Sequence, residues 1–519
     1  MLHSFSPEGQ EDTNPWFRSG VNSDGAGPSA PLVQGADGAL YGSTVAGGAG
    51  GSGTLFRVTP QGQLTTLHEF SVMGEAFDNA DGARMFAPLA VGDDGNLYGV
   101  TQTGGPQGGG VAFRVSPAGN FTVLHDFPFG NAPAGLTKGA DGAFYGATFH
   151  GGVNGNGSIF KITPAGVLTT LYSFGPVICA TPTVCSNSDG ALPEAPLAAG
   201  SDGNFYGSTS IGGANGTGVL FKVTPLGVLT VLHAFDAITT DPNGGTTCNS
   251  DGYSPGSALV EDAAGSFLGT AYRGGSYGQG TIFRVTSAGA FSVAHTFDGF
   301  GSNPLSGLTR AQDGNFYGIG TVGFLQSVFK LTPEGAFTPV FVQGADEAGS
   351  PEFPTDTLLQ LADGTFYGTS RGGGDAGSGT LFTLNLDADP AVWLSSVPYT
   401  SPPTGPGDLF VVYWDSANVT QCVASGGGTG DGWDGRVLNP SDSLAISEQA
   451  AGTYTFTIQC SGPDGDTTDS TVVEIAGPAI VPEAAMSGHG DSGAGGGLDP
   501  WALGIGLLAA LRRRRLPHC

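Results

Sequence analysis

Apolar and polar residues alternate with a period of two through most of this chain, in short runs cut by glycine. The stretch Gly53-Thr-Leu-Phe-Arg-Val-Thr59 shows it best, sending Leu55 and Arg57 to one side and Phe56 and Val58 to the other. Pro31-Leu-Val-Gln-Gly35 and Leu40-Tyr-Gly-Ser-Thr44 precede it, and Leu64-Thr-Thr-Leu-His-Glu-Phe70 follows. Turn residues separate all four runs, and no useful apolar period of 3.6 occurs among them. The pattern predicts four short strands per unit.

The unit recurs seven times. Its Asp-Gly element stands at Asp37-Gly38, Asp94-Gly95, Asp141-Gly142, Asp202-Gly203, Asp313-Gly314 and Asp363-Gly364, with Ala264-Gly265 in the fifth copy. Copies lie about 47 to 62 residues apart, within the range of one propeller blade. Seven four-stranded units are best closed radially, because closure leaves only short protected edges. Leu2-His3-Ser4-Phe5 reads as the end of a fourth strand with no unit before it, and the seventh unit stops after Gly379 to Asn385 without one. The expectation is an all-β protein whose residues 1–386 form a seven-bladed β-propeller, the N-terminal fragment completing the last blade.

The motif D-G-[NA]-[LF]-Y-G-x-T-x-x-G-G, followed by F-[KR]-[VI]-T-P and L-H-x-F, resembles the GloVer-type tandem repeat of choice-of-anchor surface proteins. That resemblance implies an exported protein with an interchangeable C-terminal sorting signal, and it implies no catalytic residues. Copies five and six depart from it: Leu268 replaces the tyrosine, and Gly320 to Ser327 lacks paired glycines.

The texture changes over residues 387–476. Runs beginning at Leu409, Asn418, Gly452 and Ser470 read as four alternating strands, with Trp433 between them. They resemble bacterial immunoglobulin-like sandwiches, which implies a Cys422–Cys460 bridge across the two sheets beside a tryptophan. Ile458 stands where antibody-type domains carry a tyrosine. The default role is a structural spacer. Cys179 and Cys185 share one inter-unit loop and are expected to pair, with Cys248, in a matching N-S-D-G setting, as the alternative. Cysteines so placed suit an oxidising compartment.

Residues 477–494 are rich in Pro, Ala, Gly and Ser and read as a flexible linker. Residues 495–519 combine Gly495, Gly496 and Gly497, a short hydrophobic segment from Leu498 to Leu511, and Arg512, Arg513, Arg514 and Arg515. This order resembles the GlyGly-type sorting signal cut by rhomboid-like proteases (rhombosortases), which implies such a protease and the membrane as partners. The arginines are expected to stay cytoplasmic. A plain membrane anchor is the alternative. Met1 enters in mid-strand, so the natural start is expected upstream, where a secretory leader would lie.

Charge narrows the partners. The net charge is −28, with only 12% of residues charged; such a surface repels nucleic acid. Cations at the F-[KR] position are expected to face outward, and the Asp-Gly aspartates to serve turns. Five histidines (His3, His68, His125, His233, His295) share the L-H-x-F slot with Tyr172 and Phe341. A slot that accepts all three rings wants a flat, partly buried ring. No metal-ligand spacing, catalytic motif or cofactor motif appears.

Length variation falls in the loops between second and third strands and between units, which strand direction places on one rim. Loops on a rigid scaffold carry binding. Candidates there, by position, are His150, Asn154, Asn156, Asn215, Arg273, Tyr277, Arg371 and Asp375. The expected function is non-enzymatic binding of a glycan or protein at that rim. An extracellular propeller enzyme, a polysaccharide lyase or glycosidase, is the alternative.

Overall fold

The computed structural model describes residues 1–9, 20–181, 184–240, 247–297, 303–322, 325–342, 351–352, 357–385, 391–398, 409–417, 419, 421–438, 442–447, 450–462 and 465–475. Every regular element among them is a β-strand. The chain divides into two compact units between Ala388 and Asp389.

Among the described residues the first unit holds, in chain order, seven antiparallel sheets, five of four strands and two of five, with three two-stranded ribbons beside them. The fourth is typical: Ala198–Ala199, Phe205–Thr209, Val219–Val223 and Leu229–Ala234, each strand paired with the next. The seventh draws its strands Leu359–Gln360, Phe366–Ser370 and Thr380–Leu384 from one end of the unit and His3–Ser4 from the other. His3 lies opposite Leu381, the Leu2 N–H donates to the Leu381 carbonyl at 2.8 Å, and the Phe5 N–H donates to that of Gly379 at 3.1 Å.

Three repeated devices build each sheet. In the first turn the Gly38 N–H donates back to the Gly35 carbonyl with Gly38 at φ +76°. Glycine takes that left-handed conformation at little cost. The second device is the glycine after the tyrosine. A Cβ on Gly207 would stand 2.6 Å from the Phe221 ring, and one on Gly42 equally close to Phe56. The phenylalanine of each L-F-[KR] run therefore lies flat over the neighbouring strand. The third is the threonine of Y-G-x-T, whose buried hydroxyl accepts the first N–H of the third strand, as Thr209 does from Val219 at 3.1 Å.

Apolar burial joins sheet to sheet. Tyr41, Leu55 and Phe70 of the first pack with Leu97, Val111 and Phe113 of the second. Stacked pairs such as Tyr98–Phe144, Tyr145–Phe205 and Tyr206–Phe267 mark successive junctions. Phe5, Tyr367 and Leu381 of the seventh sheet pack with Leu32, Leu40 and Phe56 of the first. The sheets therefore close into a ring.

The second unit contains the sheet Ala391–Pro398, Leu409–Ala417 and Asp442–Ser447, and the sheet Val437–Leu438, Gln421–Gly426, Gly452–Gly462 and Gly465–Ile475. Three of these seven strands were not legible in the pattern. Cys422 and Cys460 are bonded as expected, but not across two sheets: they are directly opposed residues on neighbouring strands of one sheet. The bridge closes a cross-strand pair, and Trp433, fully buried, fills the core beside it. Cys179 and Cys185 are likewise bonded and opposed in a short hairpin. The linker, Gly495 to Gly497, the apolar segment and Arg512 to Arg515 lie outside the described residues. Among those described, no helix is long and apolar enough to cross a membrane.

Candidate functional site

Repeated polar residues are paired with one another. Tyr41 donates its hydroxyl to Asp37 at 2.9 Å, Arg57 adds a salt bridge at 2.8 Å, and the Ala39 N–H caps the other oxygen. Burial pushes the Asp37 carboxyl up, yet the Arg57, Tyr41 and Ala39 hydrogen bonds outweigh it and hold the group below the ordinary range. Lys161, Asp141 and Tyr145 repeat the set. The fifth copy, without the aspartate, uses Asp262 two residues earlier, facing Arg284 at 3.6 Å. The outward cations thus fasten the Asp-Gly turns.

The L-H-x-F slot proves more polar than a flat-ring reading implies. Nε2 of His68 lies 2.8 Å from Asp81, and that of His233 lies 2.7 Å from Asp251. Tyr172 donates its hydroxyl to Asp189 in the same place. Each aspartate belongs to an N-x-D-G string in the loop between sheets. The asparagine of that string is a second staple: Asn187 Oδ1 accepts from the Gly190 and Gly213 N–H groups. The signal was visible as Asn22, Asn79, Asn187 and Asn249, each two residues before an aspartate. At His68, His233 and Tyr172 the polar atom of the ring, and not its flat face alone, fastens the loop aspartate.

What does not repeat converges elsewhere. A cavity of about 580 Å³ lies where the first strands of all seven sheets meet, a size common in ligand sites. Its wall is uniform: Pro31, Pro88, Pro196, Ala258, Gly307 and Thr357 line it, each just before a buried leucine. Small side chains face the cavity while the leucines fill the junctions between sheets.

Two variable positions supply the remaining lining. One lies two residues before that small residue and reads Ser29, Phe86, Glu194, Gly256 and Leu305. The other follows Y-G-x-T or its equivalent and reads Val45, Gln102, Phe149, Ser210, Tyr272, Thr321 and Arg371 around the ring, with Gln102, Tyr272 and Arg371 in the lining. An amide, a carboxylate, a phenol, a guanidinium and the Phe86 ring, from several sheets, thus surround one space. Glu194, Tyr272 and Arg371 are exposed.

The rim candidates separate into two groups. Arg371 lines the cavity, and Arg273 places its guanidinium 5.9 Å over the Tyr272 ring that does so. His150 packs edge-on against Phe149 at 4.5 Å. Asn154, Asn156 and Asn215 instead donate to the carbonyls of Phe174, Gly175 and Phe235, bracing their loops. The Asp375 N–H donates to Ser4 Oγ at 3.0 Å, tying its loop to the N-terminal strand. Tyr277 is not among the residues that line the cavity. Phe86, Gln102, Glu194 and Tyr272 were missed. Aligning the seven copies on Y-G-x-T would have exposed most of them as unlike residues in like places.

The Gloeobacter/Verrucomicrobia repeat matches the sequence three times, over residues 2–185, 130–257 and 245–432. The chain belongs to that repeat family. No curated protein matches it. Similar solved structures include virginiamycin B lyase from Staphylococcus aureus, at 15% identity and TM-score 0.44 over 67% of this chain and 93% of that one. The extracellular domain of the putative hybrid two-component system BT3049 from B. thetaiotaomicron is 13% identical, with TM-score 0.46 over 88% of this chain and 57% of that one. A PL25 ulvan lyase is 14% identical, with TM-score 0.41 over 70% of this chain and 94% of that one.

Proposed function

We propose that this repeat protein is an exported seven-bladed propeller carrying an immunoglobulin-like domain, and that it binds an oligosaccharide at the mouth of its central cavity. The observation that carries the binding reading is the convergence of unlike side chains on a uniform wall. Phe86 and Tyr272 offer flat faces to the C–H groups of a sugar. Gln102, Glu194 and Arg371 offer donors and acceptors to its hydroxyls. One carboxylate is among the described lining residues, whereas hydrolysis by paired carboxylates uses two. That favours binding over hydrolysis by a paired-carboxylate glycosidase; elimination by a lyase is decided by assay. A glycan array run beside activity assays on the same polysaccharides tests it. Arg371→Ala and Tyr272→Ala are each expected to weaken binding about tenfold, within the range for loss of a buried contact, without altering thermal stability. Turnover that either substitution abolishes would replace binding with catalysis.

Export is supported by two disulfides among the described residues, which suit an oxidising compartment. The C-terminal glycine triplet, apolar segment and arginines are proposed as a signal cut by a rhomboid-like protease. Intact mass of the exported protein decides this. A mature species that ends near Gly495 to Gly497 supports cleavage, and one that keeps Arg512 to Cys519 reduces the tail to an anchor.

A further inference from the structure

Opposite charges stand at opposite walls of the central cavity. Arg371 follows the second strand of the seventh sheet, and its Cγ lies 3.6 Å from where a Cβ on Gly27 of the first sheet would stand. It therefore occupies the junction of the seventh and first sheets. Glu194 precedes the first strand of the fourth sheet, and its Oε2 lies 3.6 Å from the equivalent point on Gly256 of the fifth. Between those two junctions lie the fifth, sixth and seventh sheets on one side and the first to fourth on the other. A ring of seven allows no wider separation.

Neither charge serves the fold. Among the described residues Arg57, Lys138, Lys161 and Arg284 each meet an aspartate, whereas Arg371 and Glu194 make no ion pair or hydrogen bond. Both are exposed. The chain has 45 Asp and Glu against 17 Lys and Arg, so a carboxylate for an arginine is easily supplied where stability calls for one. The equivalent position holds Val45, Gln102, Phe149, Ser210, Tyr272 and Thr321 in the other copies, so the strand does not require a cation there. Glu194 has its room because Gly256 carries no side chain where the first, second and sixth copies have Ser29, Phe86 and Leu305.

The two groups select a ligand by charge. A guanidinium presents a planar fork of N–H donors that matches a carboxylate in two parallel hydrogen bonds. Glu194 accepts from sugar hydroxyls and repels a second acid group, so it discriminates as well as binds. Phe86 and Tyr272 line the same space and offer faces to the sugar rings. The net charge of −28 holds long polyanions away. Screening reduces that repulsion beyond about 8 Å at physiological salt, which leaves a close arginine contact dominant for a short ligand with one charge.

We infer that the cavity selects an oligosaccharide bearing a single uronate, oriented with its carboxylate on Arg371 and uncharged hydroxyls on Glu194. The inference rests on the reading of the cavity as a saccharide site and names the sugar which that site takes.

Titration calorimetry of the full chain at physiological salt tests this. The probes are short oligosaccharides with one hexuronate on glucose, galactose or xylose, the methyl ester of each, and the matching neutral sugars. At least one acid should bind about tenfold tighter than its own ester, as expected for one charge-assisted contact. Arg371→Gln should bring acid and ester to equal affinity. Arg114→Gln, which removes the same charge from a third strand outside the cavity lining, should leave the preference intact. Glu194→Gln should raise the affinity for a di-uronate about tenfold, because the repelling carboxylate is gone. Acid and ester bound equally by the unaltered chain, or a preference that survives Arg371→Gln, would overturn the inference and leave the cavity a saccharide site. Failure of every acid, ester and neutral sugar to bind would overturn both.

Discussion

Removing Met1 to Phe5 is expected to lower the melting temperature of the first unit by roughly 5 °C. The segment supplies the only partner that the strand Thr380–Leu384 has on its outer side, through the hydrogen bonds from Leu2 and Phe5 to Leu381 and Gly379. Phe5 is 1% exposed and packs with Phe56 and Leu32 of the first sheet. Losing a buried phenylalanine alone costs about 3–5 kcal/mol, and a unit that runs from Met1 to Ala388, with an unfolding entropy of about 2.1 cal/mol/K per residue, loses roughly 1 °C for each kcal/mol. His3 extends the damage, because its Nε2 lies 3.3 Å from Asp24, which also accepts from Ser6 and holds the first inter-sheet loop. Differential scanning fluorimetry of the truncated chain measures the shift. A synthetic peptide of residues 1–9 added in trans should restore part of it. An unchanged melting temperature would mean that closure of the ring carries no stability.

The repeat was easy to read because a strand pattern written seven times averages out local ambiguity. Its turns, its four-strand units and the role of the N-terminal fragment as a fourth strand follow from Asp-Gly, Y-G-x-T and L-H-x-F. The polar network was harder. Each partnership joins residues far apart in the unit, as Asp37 does with Arg57 and His68 with Asp81, and alternation alone does not pair them. The cavity was hardest, because Glu194 and Arg371 meet only once all the sheets are placed around it. In the second unit, Asp442–Ser447 and Val437–Leu438 are short, so their alternation is too brief to stand out. The cysteine bridge misled for a different reason: two strand cysteines near a tryptophan read the same whether they face across two sheets or along one.

Trp433→Ala is expected to unfold the second unit at temperatures where the first is intact. Trp433 is fully buried, meeting Trp414 edge-on at 5.5 Å and Phe456 at 5.7 Å. Its indole N–H donates to the Ser425 carbonyl at 3.0 Å, and its own N–H donates to Asp431. Truncation opens a cavity among Val412, Ile446 and Ile458 that the disulfide-linked strands Gln421–Gly426 and Gly452–Gly462 are poorly able to close. A cost of about 3–5 kcal/mol follows, a large share of what a domain of this size holds in reserve. Trp433→Phe keeps most of the volume but leaves the Ser425 carbonyl without its donor, so a smaller loss of about 1–3 kcal/mol is expected. Calorimetry should then show two transitions, with only the one belonging to residues 389–475 moving. If both moved together, the two cores would be one cooperative system; if neither moved, the tryptophan would not be what fills the second core.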